Sequence, residues 1–93
     1  ELDLSPVPKL TRLSCGYCSL NGLDLSSVPR LAHLSCDSNE LTELDLSSIP
    51  DLTSLWCSRN QLTELDITPL KNLESFYYDK GTTKLIQRPD QNF

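Results

Sequence analysis

Hydrophobic residues recur along this chain in columns whose members lie 21 residues apart. The step is not interrupted by an insertion or a deletion up to residue 81. A period of this length is typical of a repeat array, in which each unit folds alike and buries its apolar side against the next unit. Three of the columns are Leu10, Leu31, Leu52 and Leu73; Leu13, Leu34, Leu55 and Phe76; and Leu4, Leu25, Leu46 and Ile67.

One full unit, residues 31–51, reads LAHLSCDSNELTELDLSSIPD. Apolar and polar residues alternate around Leu34 and Cys36, which predicts a short strand with one buried face. The rest of the unit is too short for a full helix and carries a proline, so it predicts extended segments, turns or short 3₁₀ pieces. Stacked units would pair their strands into one parallel sheet and join the apolar columns into one core. We expect strands near residues 12–16, 33–37, 54–58 and 75–79.

The first half of the unit has the form L-x-x-L-x-C-x-x-N-x-L, which is the leucine-rich repeat signature with cysteine in the third apolar position. A 21-residue unit of this form followed by LTELDLS resembles the internalin class of bacterial surface proteins and the related repeat arrays of Bacteroidetes surface proteins. The resemblance covers residues 2–81. It implies a right-handed leucine-rich repeat solenoid with a short parallel β-sheet on its concave face and extended, turn and 3₁₀ segments on its convex face. It also implies an extracellular or cell-surface location and ligand binding by the concave face.

Both ends of the chain depart from the repeat. The chain begins in the return half of a coil, so we expect Leu2 and Leu4 to face solvent and the uncapped N-terminal edge to permit oligomers. Towards the other end Gly81 takes the asparagine position, and Arg88 falls on the second leucine of LDL. We assign residues 1–81 to about four repeats, the first incomplete, and residues 82–93 to a degenerate last coil, C-terminal cap or tail.

Composition narrows the classes of function. The formal net charge of −5 argues against a nucleic-acid partner, because such proteins usually carry a basic stripe. No apolar run reaches the ~18 residues that a transmembrane segment needs. No signal peptide is visible in this chain.

One of the 21-residue columns consists of Cys15, Cys36 and Cys57. Because this column points into the predicted core, we expect buried, reduced thiols that serve as small hydrophobic groups. Cys18 falls instead in the column of Asn39 and Asn60, whose amides we expect to satisfy backbone groups between coils. The four cysteines also allow a disulfide between adjacent coils or between Cys15 and Cys18, a zinc site, or a thiol-redox site at SCGYCS. Disulfides are less favoured because the spacing follows the repeat, and zinc because Cys15, Cys36 and Cys57 lie on a line and do not converge. The redox site is less favoured because no βαβ context surrounds the C-x-x-C motif.

An acidic stripe is predicted on the convex side. It consists of Asp3, Asp24, Asp45 and Asp66, with Glu1, Glu43 and Glu64 beside them. Stacked carboxylates could hold calcium. We favour a different arrangement, in which Ser26, Ser47, Thr68 and nearby backbone N–H groups bond the aspartate oxygens, as in turn motifs.

The outward strand positions form the candidate binding surface. Trp56 and Tyr77 occupy equivalent positions on neighbouring strands, and an exposed tryptophan beside tyrosine, arginine and histidine is typical of interface hot spots. We therefore predict a non-catalytic module that binds a protein or a glycan and has no cofactor, metal or catalytic residue. The alternative of an intracellular effector or scaffold is disfavoured because those repeats usually read LPxLP where this chain reads LDLS. The predicted contact residues are Trp56, Tyr77, Arg12, Tyr17, His33, Arg59, Asp37 and Asp79.

Overall fold

A computed structural model describes residues 2–93, which form six short strands and no helix. Glu1, one member of the predicted acidic stripe, lies outside the described residues. The described residues contain no helix that could cross a bilayer. The strands are β1 (Arg12–Ser14), β2 (His33–Ser35), β3 (Ser54–Trp56), β4 (Glu64–Asp66), β5 (Ser75–Tyr77) and β6 (Lys84–Ile86).

Strands β1, β2, β3 and β5 form one parallel sheet in that order. The pairing joins Leu13 to Leu34, Leu34 to Leu55 and Leu55 to Phe76, which is the 21-residue step of the sequence. Residues of the same 21-residue column therefore stack on one another from coil to coil. All four predicted strands are present and begin at the expected residues, although each is two residues shorter than predicted. Interstrand hydrogen bonds continue past their ends, as between the Cys36 amide and the Trp56 carbonyl (2.8 Å).

The return side of each coil is built from turns. The Leu31 amide donates to the Val28 carbonyl (3.2 Å), which closes a four-residue turn around Pro29. The corresponding bond from Leu52 to Ile49 (3.3 Å) closes the turn around Pro50. Proline is favoured at this second position of a turn because its ring fixes φ near the required value. The expected mixture of extended and turn segments is confirmed.

A second, two-stranded parallel sheet pairs β4 with β6 on the return side. The sequence did not predict this sheet. Leu65 pairs with Leu85, a step of 20 residues, whereas the 21-residue register would have paired it with Ile86. The assignment of Arg88 to the second leucine of LDL is therefore wrong for the paired segment. The slip places Leu85 against Leu65 and Ile86 against Asp66.

The apolar columns meet in one continuous core between the sheet and the return segments. Leu4 belongs to this core and is 5% exposed, and Leu2 is half-buried against it. The expectation that both face solvent is therefore wrong. Their side chains point into the coil, and an end coil loses its neighbour along the stack on one side only.

The last coil is joined to the preceding one by side chains. Gln91 Nε2 donates to the carbonyls of Ile67 (2.8 Å) and Leu70 (3.0 Å), and Thr83 Oγ1 donates to the Leu62 carbonyl (2.7 Å). Gln91 and Thr83 are buried, so these side chains satisfy carbonyl groups of the preceding coil. Aromatic rings cover the same end, where Phe76 stacks on Tyr78 and meets Phe93 edge-on.

Candidate functional site

The candidate site is the outward face of the four-stranded sheet, which we call the concave face. Its side chains come from the first and third residues of each strand, because the middle residue points into the core. Along one row lie Arg12, His33, Ser54 and Ser75, and along the next lie Ser14, Ser35, Trp56 and Tyr77.

Trp56 and Tyr77 form an exposed aromatic pair on the concave face. They are paired across β3 and β5, and their ring centroids lie 6.1 Å apart in an edge-to-face arrangement. Trp56 is 43% exposed and Tyr77 is 64% exposed. Large rings on a sheet surface supply contact area with little loss of side-chain freedom. The predicted side-by-side placement of these rings is confirmed.

Two depressions lie on either side of this pair. The first, of about 350 Å³, is lined by Arg12, His33 and Trp56 together with two leucines and three serines of β1, β2 and β3. The second, of about 360 Å³, is lined by Tyr17, Arg59 and Tyr77 with Asp37 and two serines. The structure thus divides most of the predicted contact residues into two neighbouring groups. The sequence had indicated one continuous strip.

The second depression is bordered by residues with left-handed backbone conformation. Tyr17, Ser38 and Arg59 have φ values of 59°, 59° and 60°, and they occupy one column of the repeat. Ser38 Oγ is buried and has no hydrogen-bond partner within residues 2–93. The sequence placed Ser38 on the outward side but did not indicate its backbone conformation, since tyrosine, serine and arginine give no sign of a left-handed position. The fold imposes this conformation shortly after β1, β2 and β3.

The two aspartates of the predicted contact set bond the backbone. Asp37 Oδ1 accepts a hydrogen bond from the Ser58 amide (2.8 Å). Asp79 accepts from the Arg59 amide through Oδ1 (2.9 Å) and from the Asn60 amide through Oδ2 (3.2 Å). Both carboxylates therefore tie one coil to the next. That these two carboxylates also bind a ligand stays a prediction. Fewer of their oxygens are free to accept hydrogen bonds from a ligand than the sequence indicated.

The asparagine ladder behaves as predicted. Asn39 is 4% exposed, and its Oδ1 accepts from the amides of Cys18 (3.0 Å) and Leu20 (2.9 Å). Its Nδ2 donates to the carbonyls of Cys15 and Cys36, both at 3.0 Å. Asn60 repeats this arrangement one coil further along. Each amide thus joins two coils below the concave face.

The cysteine column is buried and all four thiols are free. Burial raises the pKa of Cys15 to about 11 and that of Cys57 to about 12, and the pKa of Cys36 is raised further for the same reason. Cys18 is exposed, and its Sγ lies 3.4 Å from the Gly16 carbonyl. A redox site needs a thiolate stabilised by a helix N-terminus or a cation. The environment of Cys15 favours the protonated thiol instead.

The acidic stripe consists of repeated turn motifs. In each coil an exposed aspartate accepts from the amide and the hydroxyl of the residue two positions later, as Asp45 does from Ser47 (3.0 and 2.7 Å). These bonds hold the pKa values of Asp3, Asp24, Asp45 and Asp66 below their usual range. In the described part of the chain no three acidic, cysteine or histidine side chains converge as metal ligands. The zinc and calcium alternatives therefore find no ligand set there.

Comparisons with known proteins agree with the geometry. The leucine-rich repeat family model matches residues 51–73. The structure is similar to the functional domain of InlJ from Listeria monocytogenes, which includes a cysteine ladder, with a TM-score of 0.76 and 46% sequence identity. The match covers 77% of this chain and 16% of the InlJ chain, so the chain spans a small part of that protein's length. No curated protein matches the chain significantly.

Proposed function

Because the chain is a leucine-rich repeat protein of the internalin type, we propose that it is a non-catalytic recognition module that binds a protein through its concave face. The observation that carries the proposal is the aromatic pair Trp56 and Tyr77, which stands exposed between two depressions. Aromatic residues and arginine are the residues most often found at interface hot spots. A glycan is the other ligand class that this surface could accept.

The same proposal includes location and organisation. An extracellular or cell-surface location rests on the likeness to InlJ. Residues 1–81 would carry recognition, and residues 82–93 would act as the cap, which the bonds of Gln91 and Thr83 support. Within the described residues β1 pairs with β2, and pairing of its other edge with a second copy of the chain is part of the proposal.

A display experiment tests the concave face. A random peptide library is selected on the wild-type protein and, in parallel, on the Trp56→Ala/Tyr77→Ala double variant. We expect peptides enriched on the wild type to lose at least tenfold in affinity for the double variant, since truncated hot-spot residues typically cost about 2 kcal/mol or more each. Thermal unfolding verifies that the double variant is folded.

Val7→Ala is the matched control for this experiment. Val7 is 43% exposed, as Trp56 is, but it lies on the return side of the first coil. Selected peptides should bind this control as tightly as the wild type. Undiminished binding to the double variant would move the site away from the concave face.

A further inference from the structure

We infer that the concave face recognises an acidic polypeptide segment, in which an apolar side chain meets Trp56 and Tyr77 and carboxylates on either side of it pair with Arg12 and Arg59. This inference rests on the proposed function and specifies the chemistry of the partner. Four features of the structure support it.

The first feature is a pair of uncommitted cations. Arg12 lines one depression and Arg59 lines the other, and both side chains are exposed. Within residues 2–93 the one ion pair is Arg88 with Asp90, which belongs to the last coil. The guanidinium groups of the concave face are therefore available to a ligand. Arginine matches a carboxylate with two parallel N–H donors, which makes it the preferred cation at interfaces.

The second feature is the distribution of the acidic groups. Although the chain carries a net charge of −5, the aspartates of the turn motifs lie on the return side. On the concave face, Asp37 and Asp79 accept backbone amide hydrogens from the neighbouring coil. Such donors stabilise the negative charge and orient the carboxylates towards the backbone. Arg12 is the charged group of the first depression, which has no carboxylate among its lining residues, whereas the second depression is lined by both Arg59 and Asp37.

The third feature is the backbone conformation of Tyr17 and Arg59. Left-handed φ values are costly for residues with a Cβ atom, roughly 1–2 kcal/mol each, and glycine would avoid this cost. No glycine of the chain has a positive φ. At these two left-handed positions beside the second depression, the chain thus has a tyrosine and an arginine where glycine would be conformationally preferred. The repeat imposes this conformation at Tyr17, Ser38 and Arg59 alike, and at two of these positions it carries a large side chain to the second depression.

The fourth feature favours a protein over a glycan. A small polar ligand such as a sugar is oriented by hydrogen bonds from a few placed polar groups. Asn39 and Asn60 are committed to backbone bonds beneath the face, and so are oxygens of Asp37 and Asp79. The large exposed side chains of the face are aromatic rings and arginines. These two residue types are enriched at protein–protein interfaces.

Three synthetic peptides test the inference. Each is a capped heptapeptide with a central leucine, flanked on both sides by glutamates, by lysines or by glutamines. Trp56 is the only tryptophan in the chain, so its fluorescence reports binding at the concave face directly. Calorimetry supplies the affinities. We expect the glutamate peptide to change the Trp56 emission and to bind at least tenfold more tightly than the lysine peptide.

Charge-neutralising variants locate the pairing. Arg12→Gln and Arg59→Gln should each weaken binding of the glutamate peptide about twofold to fivefold, the loss expected for one solvent-exposed ion pair. Lys84→Gln is the matched control, because it removes the same charge from an exposed position in β6, on the second sheet. This control should bind the glutamate peptide as the wild type does.

The outcomes separate this inference from the proposed function. Equal or tighter binding of the lysine or glutamine peptide, with a change in Trp56 emission, would overturn the acidic partner and leave the concave face as the site. A neutral oligosaccharide such as chitotetraose that alone changes the emission would overturn it in favour of a glycan. Glutamate-peptide binding that is unaffected by both arginine variants and by Trp56→Ala would overturn the concave face as well. Failure of all three peptides to bind at about millimolar concentration would reject the acidic segment.

Discussion

At the scale of the residue, the 21-residue columns set which side chains face the core, but a few residues carry strain that the pattern does not reveal. Ser38 combines a left-handed backbone with a buried hydroxyl that has no partner in the described residues. Both features oppose stability. Neither is needed for the packing of the apolar columns.

Ser38→Gly should stabilise the protein. Removal of the Cβ relieves the left-handed strain and the unpaired hydroxyl, and part of that gain is offset by the flexibility of glycine in the unfolded chain. We expect a net gain of about 0.5–1 kcal/mol in the free energy of unfolding, measured with urea. Ser38→Ala, which removes the hydroxyl but keeps the Cβ, separates the two contributions. Ser35→Gly, within β2, should destabilise, and stabilisation there would contradict the explanation.

The thiols should differ sharply in reactivity. Cys36 and Cys57 are buried with pKa values raised by desolvation, whereas Cys18 is exposed. Because the thiolate is the reactive form, we expect Ellman's reagent to modify one thiol quickly in the native protein at pH 8 and all four after unfolding. Cys18→Ser should abolish the fast reaction. Rapid, reversible dithiol chemistry between Cys15 and Cys18 would contradict the structural interpretation of the ladder.

At the scale of the element, strands of three residues are too short to be stable by backbone pairing alone. Two side-chain ladders reinforce them. The asparagine amides join each coil to the next beneath the sheet, and the aspartates at the strand ends bond the amides of the neighbouring coil. The sheet therefore depends on side chains for bonds that longer strands obtain from the backbone.

Asn39→Ala should strongly destabilise the protein. The change leaves buried carbonyl and amide groups of two coils unpaired, and each such group costs about 1–3 kcal/mol. We expect a loss of about 3 kcal/mol in the free energy of unfolding, measured by chemical denaturation. Asn21→Ala, at an exposed position, is the control and should change stability by less than about 0.5 kcal/mol. Similar effects for the two variants would show that the ladder contributes little.

At the scale of the whole molecule, the solenoid is held by contacts between neighbouring coils, and its stability is a sum over these contacts. The last coil meets the rest through β6, the aromatic cluster and the side chains of Thr83 and Gln91. Loss of those bonds should therefore open this end first. The coils around β1 and β2 should remain closed.

Gln91→Leu and Thr83→Val should loosen the last coil. Each keeps the size of the side chain and removes donors to buried carbonyls, at a cost of about 1–3 kcal/mol. Hydrogen exchange should increase in Lys84–Ile86, while exchange in His33–Ser35 stays slow. Asn92→Ala, at an exposed position beside Gln91, should leave both segments unchanged. Uniform loss of protection would instead indicate a single cooperative unit.

The sequence by itself determined the repeat, the four strands of the main sheet and their register, the buried cysteine column and the asparagine ladder. It could do so because each position recurs every 21 residues, and one stacking arrangement buries all the apolar columns at once. The placement of Trp56 beside Tyr77 followed from the same register, whereas the edge-to-face angle of their rings came from the structure.

Only the tertiary structure decided where the repeat gives way. Three features depend on how a coil packs against its neighbours. They are the register slip that pairs Leu85 with Leu65, the burial of Leu4, and the left-handed backbone conformation in the column of Ser38. The tertiary structure also decided that Asp37 and Asp79 accept hydrogen bonds from backbone amides, and that the contact residues line two separate depressions. The column in which a residue lies predicts which side of the coil its side chain faces. The hydrogen-bond partners of its polar atoms lie in the adjacent coil, and the 21-residue pattern does not predict them.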